Sequence, residues 1–355
     1  MAEKILMKGN EAIGEAAVVA GCRHYFGYPI TPQSELIEYM AKRMPQVDGV
    51  FLQAESEISA INMVYGAAAA GCRVMTSSSS PGISLKQEGI SYIAGSQLPC
   101  VIVNMQRGGP GLGSIQPGQA DYFQATKGGG HGDYRNIVIA PNSVQEMADI
   151  TIQAFDIADK WRNAVMILGD GALGQMMEPV EFKESNTSPV EKPWAATGLR
   201  GRKEHNVINS LFLKPELMEN HNHVLQDKYA KIQETETRWE SLQTEDADVI
   251  VVAYGITSRI AQTAIHQARS AGVKVGMLRP ITLWPFPTKP IAALCKTAKS
   301  FVVFEMSAGQ MVEDVRLAVN GVRPVHFHGR TGGMLPTPKE LYEQIMTVAR
   351  GEGGK

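Results

Sequence analysis

Apolar and polar positions alternate along the first half of the chain in two registers. NEAIGEAAVVAGC, EISAINMVYGAAAAG, ISLKQEGISYIAGSQ and SVQEMADITIQAFDIADK place apolar residues at helical spacing. GVFLQAE, RVMT, PCVIVNMQ, NIVIAP and NAVMILG are short runs that read as strands. Strand and helix in alternation with short turns, from residue 10 to about 182, predict a doubly wound parallel α/β sheet. Sheets of this kind bind ligands beyond the carboxyl ends of their strands. Residues 28–31, 55–57, 77–82 and 107–113 all fall at such ends.

The first of these ends, GYPITPQSELIEYM, reads as a strand end, a tight turn and a helix start. Pro32 suits a first helical position, and Thr31 before it suits a cap, with Leu36, Ile37 and Met40 following at helical spacing. SSSSPG reads as a loop, either an anion-binding nest or a polar turn.

The pattern changes at about 183. ESNTSPVEKPWAATGLRGRKEHN is polar, without period, and reads as an extended connection. ELMENHNHVLQDKYAKIQETETRWESLQ reads as a long, charged amphipathic helix. A second alternating unit then begins with VIVVAYG, followed by SRIAQTAIHQARSAG, VKVGMLRP and SFVVFEMS. The chain therefore divides into a first α/β domain at 1–190, a connection with a charged helix at 191–245, and a second α/β domain at 246–355.

Composition narrows the choice of function. The chain has 355 residues, 44% hydrophobic and 20% charged, with 34 basic and 36 acidic side chains and a net charge of −2. That balance implies neither nucleic acid nor an anionic membrane as partner. No run approaches a membrane span and no signal peptide opens the chain, so a cytoplasmic location is expected. Cys22, Cys72, Cys100 and Cys295 are widely separated, which argues against a disulfide framework and against an iron–sulfur or zinc site built from this chain alone. His205, His221 and His223 do not match a paired helical ligand motif and read as solvated surface.

Two charged residues at the strand ends carry candidate chemistry. Glu57 opens EISAINMVYG, and an acid in a first helical turn complements the helix dipole. A buried carboxylate there could instead hydrogen-bond a heteroaromatic nitrogen and favour its protonated form. Arg107 opens RGGPGLGS; it is a surface arginine in a mobile loop, or a guanidinium placed to pair bidentately with a carboxylate or phosphate. LGDG at 168–171 invites comparison with the magnesium–diphosphate motif of thiamine enzymes, yet the downstream stretch lacks the paired asparagines. Asp170 therefore reads as a strand-end turn residue, and any diphosphate and metal must be held by another chain.

YPITPQSE, QAESEISAINMVYGAAAAG, TSSSSPG, NMQRGGPGLG and LRPITLWPFP together resemble the α-type subunit of 2-oxoacid:ferredoxin oxidoreductases. GGGHGDYRNIVIAPNSVQEM is most similar to the branched-chain, 2-oxoisovalerate (3-methyl-2-oxobutanoate) members. The resemblance implies a pyrimidine-type thiamine diphosphate domain followed by a transketolase C-terminal-like domain. By motif it places Glu57 against the aminopyrimidine, Thr31 and Arg107 against substrate, and Pro29, Ser80 and Gly82 around the cofactor. It implies a β-type partner subunit holding the diphosphate and Mg2+, a γ-type subunit, and a ferredoxin-like subunit, with iron–sulfur clusters on the partner chains only. The implied reaction is oxidative decarboxylation of a 2-oxoacid, in which Glu57 favours the imino form of thiamine, coenzyme A takes the acyl group and ferredoxin takes the electrons. The isolated chain is open to pairing with itself.

Three rivals remain. A 2-oxoglutarate-specific relative would want an extra cation for the distal carboxylate. A lipoamide-dependent dehydrogenase β-subunit fits YPITP and RGGPGLG poorly. A non-catalytic binding or regulatory protein on a degenerate thiamine fold would have no need of Thr31, Glu57 and Arg107.

Overall fold

The structure is a computed structural model that describes residues 4–182 and 190–352. Strands in chain order are β1 (Ile5–Lys8), β2 (His24–Gly27), β3 (Val50–Gln53), β4 (Val74–Ser78), β5 (Cys100–Gln106), β6 (Ile137–Ile139) and β7 (Ala164–Asp170). They continue with β8 (Met177–Val180), β9 (Trp239–Leu242), β10 (Val249–Val252), β11 (Val275–Pro280), β12 (Thr282–Trp284), β13 (Ser300–Glu305) and β14 (Val325–Gly329). Helices of the first half are α1 (Gly9–Val19), α2 (Ser34–Arg43), α3 (Glu57–Ala69), α4 (Ser80–Gly95), α5 (Tyr122–Thr126), α6 (Val144–Trp161) and α7 (Gly171–Gln175). Those of the second half are α8 (Pro215–Thr235), α9 (Gly255–Ser270), α10 (Thr288–Leu294), α11 (Met311–Val319) and α12 (Pro338–Ala349).

The first sheet runs β12-β6-β7-β5-β4-β2-β3 and is parallel from β6 to β3. Every residue of β5 and β7 is buried, as expected of central strands covered on both faces. The second sheet runs β14-β13-β10-β11-β9, parallel except for β9. A separate antiparallel pair joins β1 to β8.

Four local readings are corrected. The helix after YPITP begins at Ser34, not Pro32, and Thr31 does not cap it. Residues 30–33 form a turn closed by Gln33 N donating to Ile30 O at 3.1 Å. The Pro32 carbonyl, which would have opened a helical ladder, instead accepts from Asn10 Nδ2 at 2.8 Å and Gln175 Nε2 at 3.1 Å. SSSSPG is no loop: Ser77 and Ser78 end β4 and Ser80 opens α4 with Pro81 in its first turn. The strand passes into the helix through Ser79 alone, a residue in extended conformation at the helix N-cap.

The charged helix stops at Thr235, and WESL is an edge strand beside β11. It is placed there by Arg279 of β11, whose Nε donates to Glu240 Oε2 at 2.8 Å. Finally, ITLW does not stay with the second unit: β12 pairs antiparallel with β6 of the first sheet, opposing Thr282 to Ile139 and Trp284 to Val138. Of the polar stretch after Phe182, residues 183–189, which include Asn186, lie outside the described residues. His205 and His223 are exposed, while His221 is half-buried, bonded to Gly95 O at 2.7 Å and stacked on Phe212.

The two sheets are joined through the same arginine. The buried Arg279 guanidinium also forms a two-pronged pair with Glu146 of α6, at 2.8 and 2.9 Å. Planar two-point pairing of this kind is worth more than a single contact. Arg279→Met is expected to cost about 2–3 kcal/mol of unfolding free energy, since it removes charge-assisted bonds to two carboxylates. Urea unfolding of the full chain measures it, and a loss below half a kcal/mol would make the pair ornamental.

Candidate active site at the carboxyl edge of the first sheet

Glu57 is the first residue of α3, which Ser56 caps by accepting from Ser59 N at 3.2 Å. The cap fixes where the helix starts and so which way Glu57 points. That direction is inward: Glu57 is 6% exposed. A solvated helix-start charge would stand in water, so the buried-carboxylate reading is the one the fold supports.

Opposite it stands Gly82, in the first turn of α4. A Cβ built there would lie 2.7 Å from Glu57 Oε1 and 2.1 Å from Ser78 Oγ. Glycine is therefore required at 82, because any side chain would strike both the carboxylate and the serine hydroxyl. The hydroxyls of Ser78 and Ser79 are buried and lack hydrogen-bond partners. Buried hydroxyls are normally satisfied, so these two are available to a further polar partner.

The neighbouring strand ends form a stitched rim. Asp121 accepts from Ser80 Oγ at 2.6 Å and from Asn104 Nδ2 at 2.9 Å. Burial pushes the Asp121 carboxyl up, against the pull of those two donors and of Arg107. Ser80 Oγ in turn accepts from Arg107 N at 3.0 Å. The Ser80 hydroxyl is thus fully engaged in holding α4 to the loop after β5.

Arg107 is buried, which excludes the mobile surface arginine. Its Nη1 donates to Thr31 O at 2.9 Å and its Nη2 to Leu112 O at 2.7 Å, while Nε is buried without a partner. The guanidinium therefore links the YPITP turn to the RGGPGLG loop, and each terminal nitrogen keeps one proton uncommitted. Thr31 and Pro29 are exposed on that turn. Beneath it the buried Gln33 accepts from Ser77 Oγ at 2.5 Å, and Ser77 is bonded to Tyr25 OH at 2.6 Å.

The second unit closes one side. A Cβ on Gly108 would lie 2.8 Å from the Gly332 backbone, so the two glycine loops are in direct contact. Gln119 is buried and bonded across the junction to Tyr254 O at 3.0 Å and to Met306 N at 3.0 Å. Asp170 ends β7, caps α7 by accepting from Ala172 N and Leu173 N at 3.1 Å, and accepts from Ile256 N of α9 at 3.2 Å. It is a strand-end turn residue as expected, and burial raises its carboxyl to about 6.

Of the residues singled out from the sequence, Glu57 and Gly82 face each other, and Thr31, Ser80 and Arg107 are linked by hydrogen bonds. Ser78 and Ser79 lay within the SSSSPG stretch already singled out, whereas Gln33, Lys86, Asn104 and Asp121 were missed. Lys86 had a visible signal: it sits on the stripe Ile83, Lys86, Gln87, Ile90, where an apolar residue belongs.

The geometry suits an aminopyrimidine, which offers a ring nitrogen to a carboxylate and polar edges to hydroxyls. No group of three or more His, Cys, Asp or Glu is gathered for a metal among the described residues. No helix among them is long and apolar enough to cross a membrane.

The doubly wound parallel sheet sets the fold class, and the family match adds the cofactor, a thiamine-diphosphate-binding α/β protein. Residues 15–244 match the family described as pyruvate flavodoxin/ferredoxin oxidoreductase, thiamine diphosphate-binding, and residues 247–341 match pyruvate:ferredoxin oxidoreductase core domain II. The chain belongs to this family and is a 2-oxoacid:ferredoxin oxidoreductase chain. It is 52% identical to the ketoisovalerate oxidoreductase subunit VorB of Methanothermobacter marburgensis, over 97% of both chains. It is 35% identical to the 2-oxoglutarate synthase subunit KorA of Methanothermobacter thermautotrophicus, over 99% of this chain and 100% of that one. Among solved structures it superposes on the 2-oxoglutarate:ferredoxin oxidoreductase from Magnetococcus marinus with a TM-score of 0.87 at 27% identity, covering 98% of this chain and 66% of the other.

Proposed function

We propose that this chain is the α-type subunit of a branched-chain 2-oxoacid:ferredoxin oxidoreductase, acting on 3-methyl-2-oxobutanoate and forming acyl-CoA, carbon dioxide and reduced ferredoxin. The observation that carries the site is the Glu57 carboxylate, buried at the sheet's carboxyl edge and pressed against Gly82. The identity to a ketoisovalerate oxidoreductase subunit, higher than to a 2-oxoglutarate synthase subunit, supports the branched-chain substrate.

In this reading residues 1–190 form the pyrimidine-type domain, 191–245 the connection, and 246–355 the transketolase C-terminal-like domain. When bound, thiamine diphosphate supplies the electron sink that makes decarboxylation of a 2-oxoacid feasible. Glu57 would accept a hydrogen bond from the N–H of the cofactor's ring and stabilise its positive charge. Gly82 lets the carboxylate and the ring approach, and Pro29 and Ser80 border the same face. Thr31 and the uncommitted protons of Arg107 orient the substrate carboxylate. A β-type partner holds the diphosphate and Mg2+, a γ-type and a ferredoxin-like subunit complete the enzyme, and iron–sulfur clusters lie on partner chains. The assembly works in the cytoplasm.

Two measurements test this. The isolated chain is expected to bind thiamine diphosphate weakly and to be inactive, whereas the complex with its partner subunits binds it and turns over. Calorimetry on the purified chain with magnesium checks the first; tight binding would overturn the division of the site. A 2-oxoacid screen of the complex with a low-potential acceptor checks the second, and preference for 2-oxoglutarate would move the chain to the other branch.

A further inference from the structure

The second unit reaches the arginine loop through a glycine turn. Residues 107–117 close on themselves: Arg107 and Pro117 form an antiparallel bridge, Gly108 N donates to Gln116 O at 2.9 Å, and Ser114 N donates to Gly108 O at 2.7 Å. Arg107 holds the middle of this loop at Leu112 O. Against it lies the turn 331–334, closed by Met334 N donating to Thr331 O at 3.2 Å, with Gly332 and Gly333 both at positive φ. A Cβ on Gly333 would lie 2.4 Å from Gln116 Cβ and 2.9 Å from Ser114 Oγ. Together with the approach of Gly108 to the Gly332 backbone, the turn meets the loop at 108, 114 and 116, the residues whose mutual bonds close it. One carboxylate anchors the turn on both sides. Glu340 Oε1 accepts from Arg330 Nη1 at 3.0 Å, and Glu340 completes the capping box with Thr337 at the start of α12.

We propose that Gly333 is a positioning residue for substrate binding: by letting the second unit's turn seat on residues 114 and 116, it holds the loop in the shape from which Arg107 meets the 2-oxoacid carboxylate. The inference rests on the reading of Arg107 given above and deepens it. The plane of the guanidinium is set by Thr31 O and Leu112 O. Thr31 belongs to the first unit's own turn, but Leu112 stands mid-loop, so its carbonyl goes where the closed loop puts it. Two carbons rest about 3.5–4.0 Å apart, so a methyl at 333 displaces the loop or the turn by about 1 Å. A misplacement of that size can cost a reaction up to ~10²-fold.

The test is steady-state kinetics on the complex with its partner subunits, for wild type, Gly333→Ala, Arg107→Lys and the double variant. Gly333→Ala should raise KM about tenfold for a branched and a dicarboxylic 2-oxoacid alike, with kcat within about twofold. In the Arg107→Lys background the same change should cost at most about twofold, because no fork remains for the loop to align. A change that only lowers the amount of folded enzyme reduces kcat and acts equally in both backgrounds. Equal factors in the two backgrounds, an unchanged KM, or a loss confined to kcat would each overturn the proposal.

Gly332→Ala controls for strain in the turn. It too puts a side chain at positive φ, but nothing lies within 4 Å of its Cβ position. Its KM should stay within about twofold of wild type, and a rise matching that of Gly333→Ala would assign the effect to strain and overturn the proposal. If Gly333→Ala does not assemble, Gly108→Ala replaces it in the cycle, since its Cβ meets the Gly332 carbonyl carbon at 2.8 Å from the loop's side. Wild-type kcat/KM in Arg107→Lys sinks the reading of Arg107 itself and this inference with it. A clear loss in Arg107→Lys beside equal factors for Gly333→Ala removes only the role given to Gly333.

Discussion

Glu57→Gln is expected to nearly abolish turnover in the assembled complex while leaving assembly intact. The substitution keeps the shape of the side chain at the first position of α3, with Ser56 still capping the helix and Gly82 still leaving room. What it removes is the negative charge. In the proposed role, an amide can hydrogen-bond a ring nitrogen but cannot compensate a positive one, so a protonated ring would lose its counter-ion. Positioned acid–base groups contribute about 10²–10⁴-fold, or roughly 3–5 kcal/mol of barrier. Steady-state turnover with saturating cofactor is the measurement, with size-exclusion of the complex as the control. Turnover near that of wild type would take Glu57 out of the mechanism.

The parallel sheet and the order of its elements were legible because each strand and helix declares itself over a short window. Val101, Ile102 and Val103 form an apolar run too short for a helix, and Glu57 at the head of EISAINMVYG marks a helix start that the structure keeps. What was not legible depends on partners distant in sequence. Thr31-Pro32 carries a good local signal for a helix start, but Asn10 and Gln175 claim the Pro32 carbonyl and the chain turns instead. Trp239–Leu242 has the composition of a helix end, and becomes a strand because Arg279 and β11 lie beside it. The three residues of β12 leave their own unit for an edge of the other sheet, which no local pattern encodes. At the site the same division holds. Glu57 and Gly82 were found as residues, but their contact required the sheet to bring α3 and α4 together. Lys86 was passed over because a lone lysine in a helix is usually solvated, although its place on an apolar stripe was the clue.

The second large effect belongs to Arg107, and the structure alters its basis. The guanidinium does not wait with both prongs free for a carboxylate; it already donates to Thr31 O and Leu112 O. In the proposed role it therefore has two tasks that lysine cannot share. A point ammonium reaches one carbonyl or the other but cannot span the turn and the loop in a fixed plane, nor offer a second pair of protons toward substrate. Arg107→Lys is expected to lower kcat/KM by about 10–100-fold, the loss of one or two charge-assisted bonds worth about 1.5–3 kcal/mol. Because every 2-oxoacid carries the same carboxylate, the loss should be similar for a branched, a small and a dicarboxylic substrate. The preference among side chains should barely move, since in the proposed role Arg107 acts on the shared end of the molecule. Steady-state kinetics on such a panel decides the matter. A loss confined to 2-oxoglutarate would mean that Arg107 reads a distal acid group, and the branched-chain assignment would fall, because a pocket built around that cation would have no reason to favour an apolar side chain.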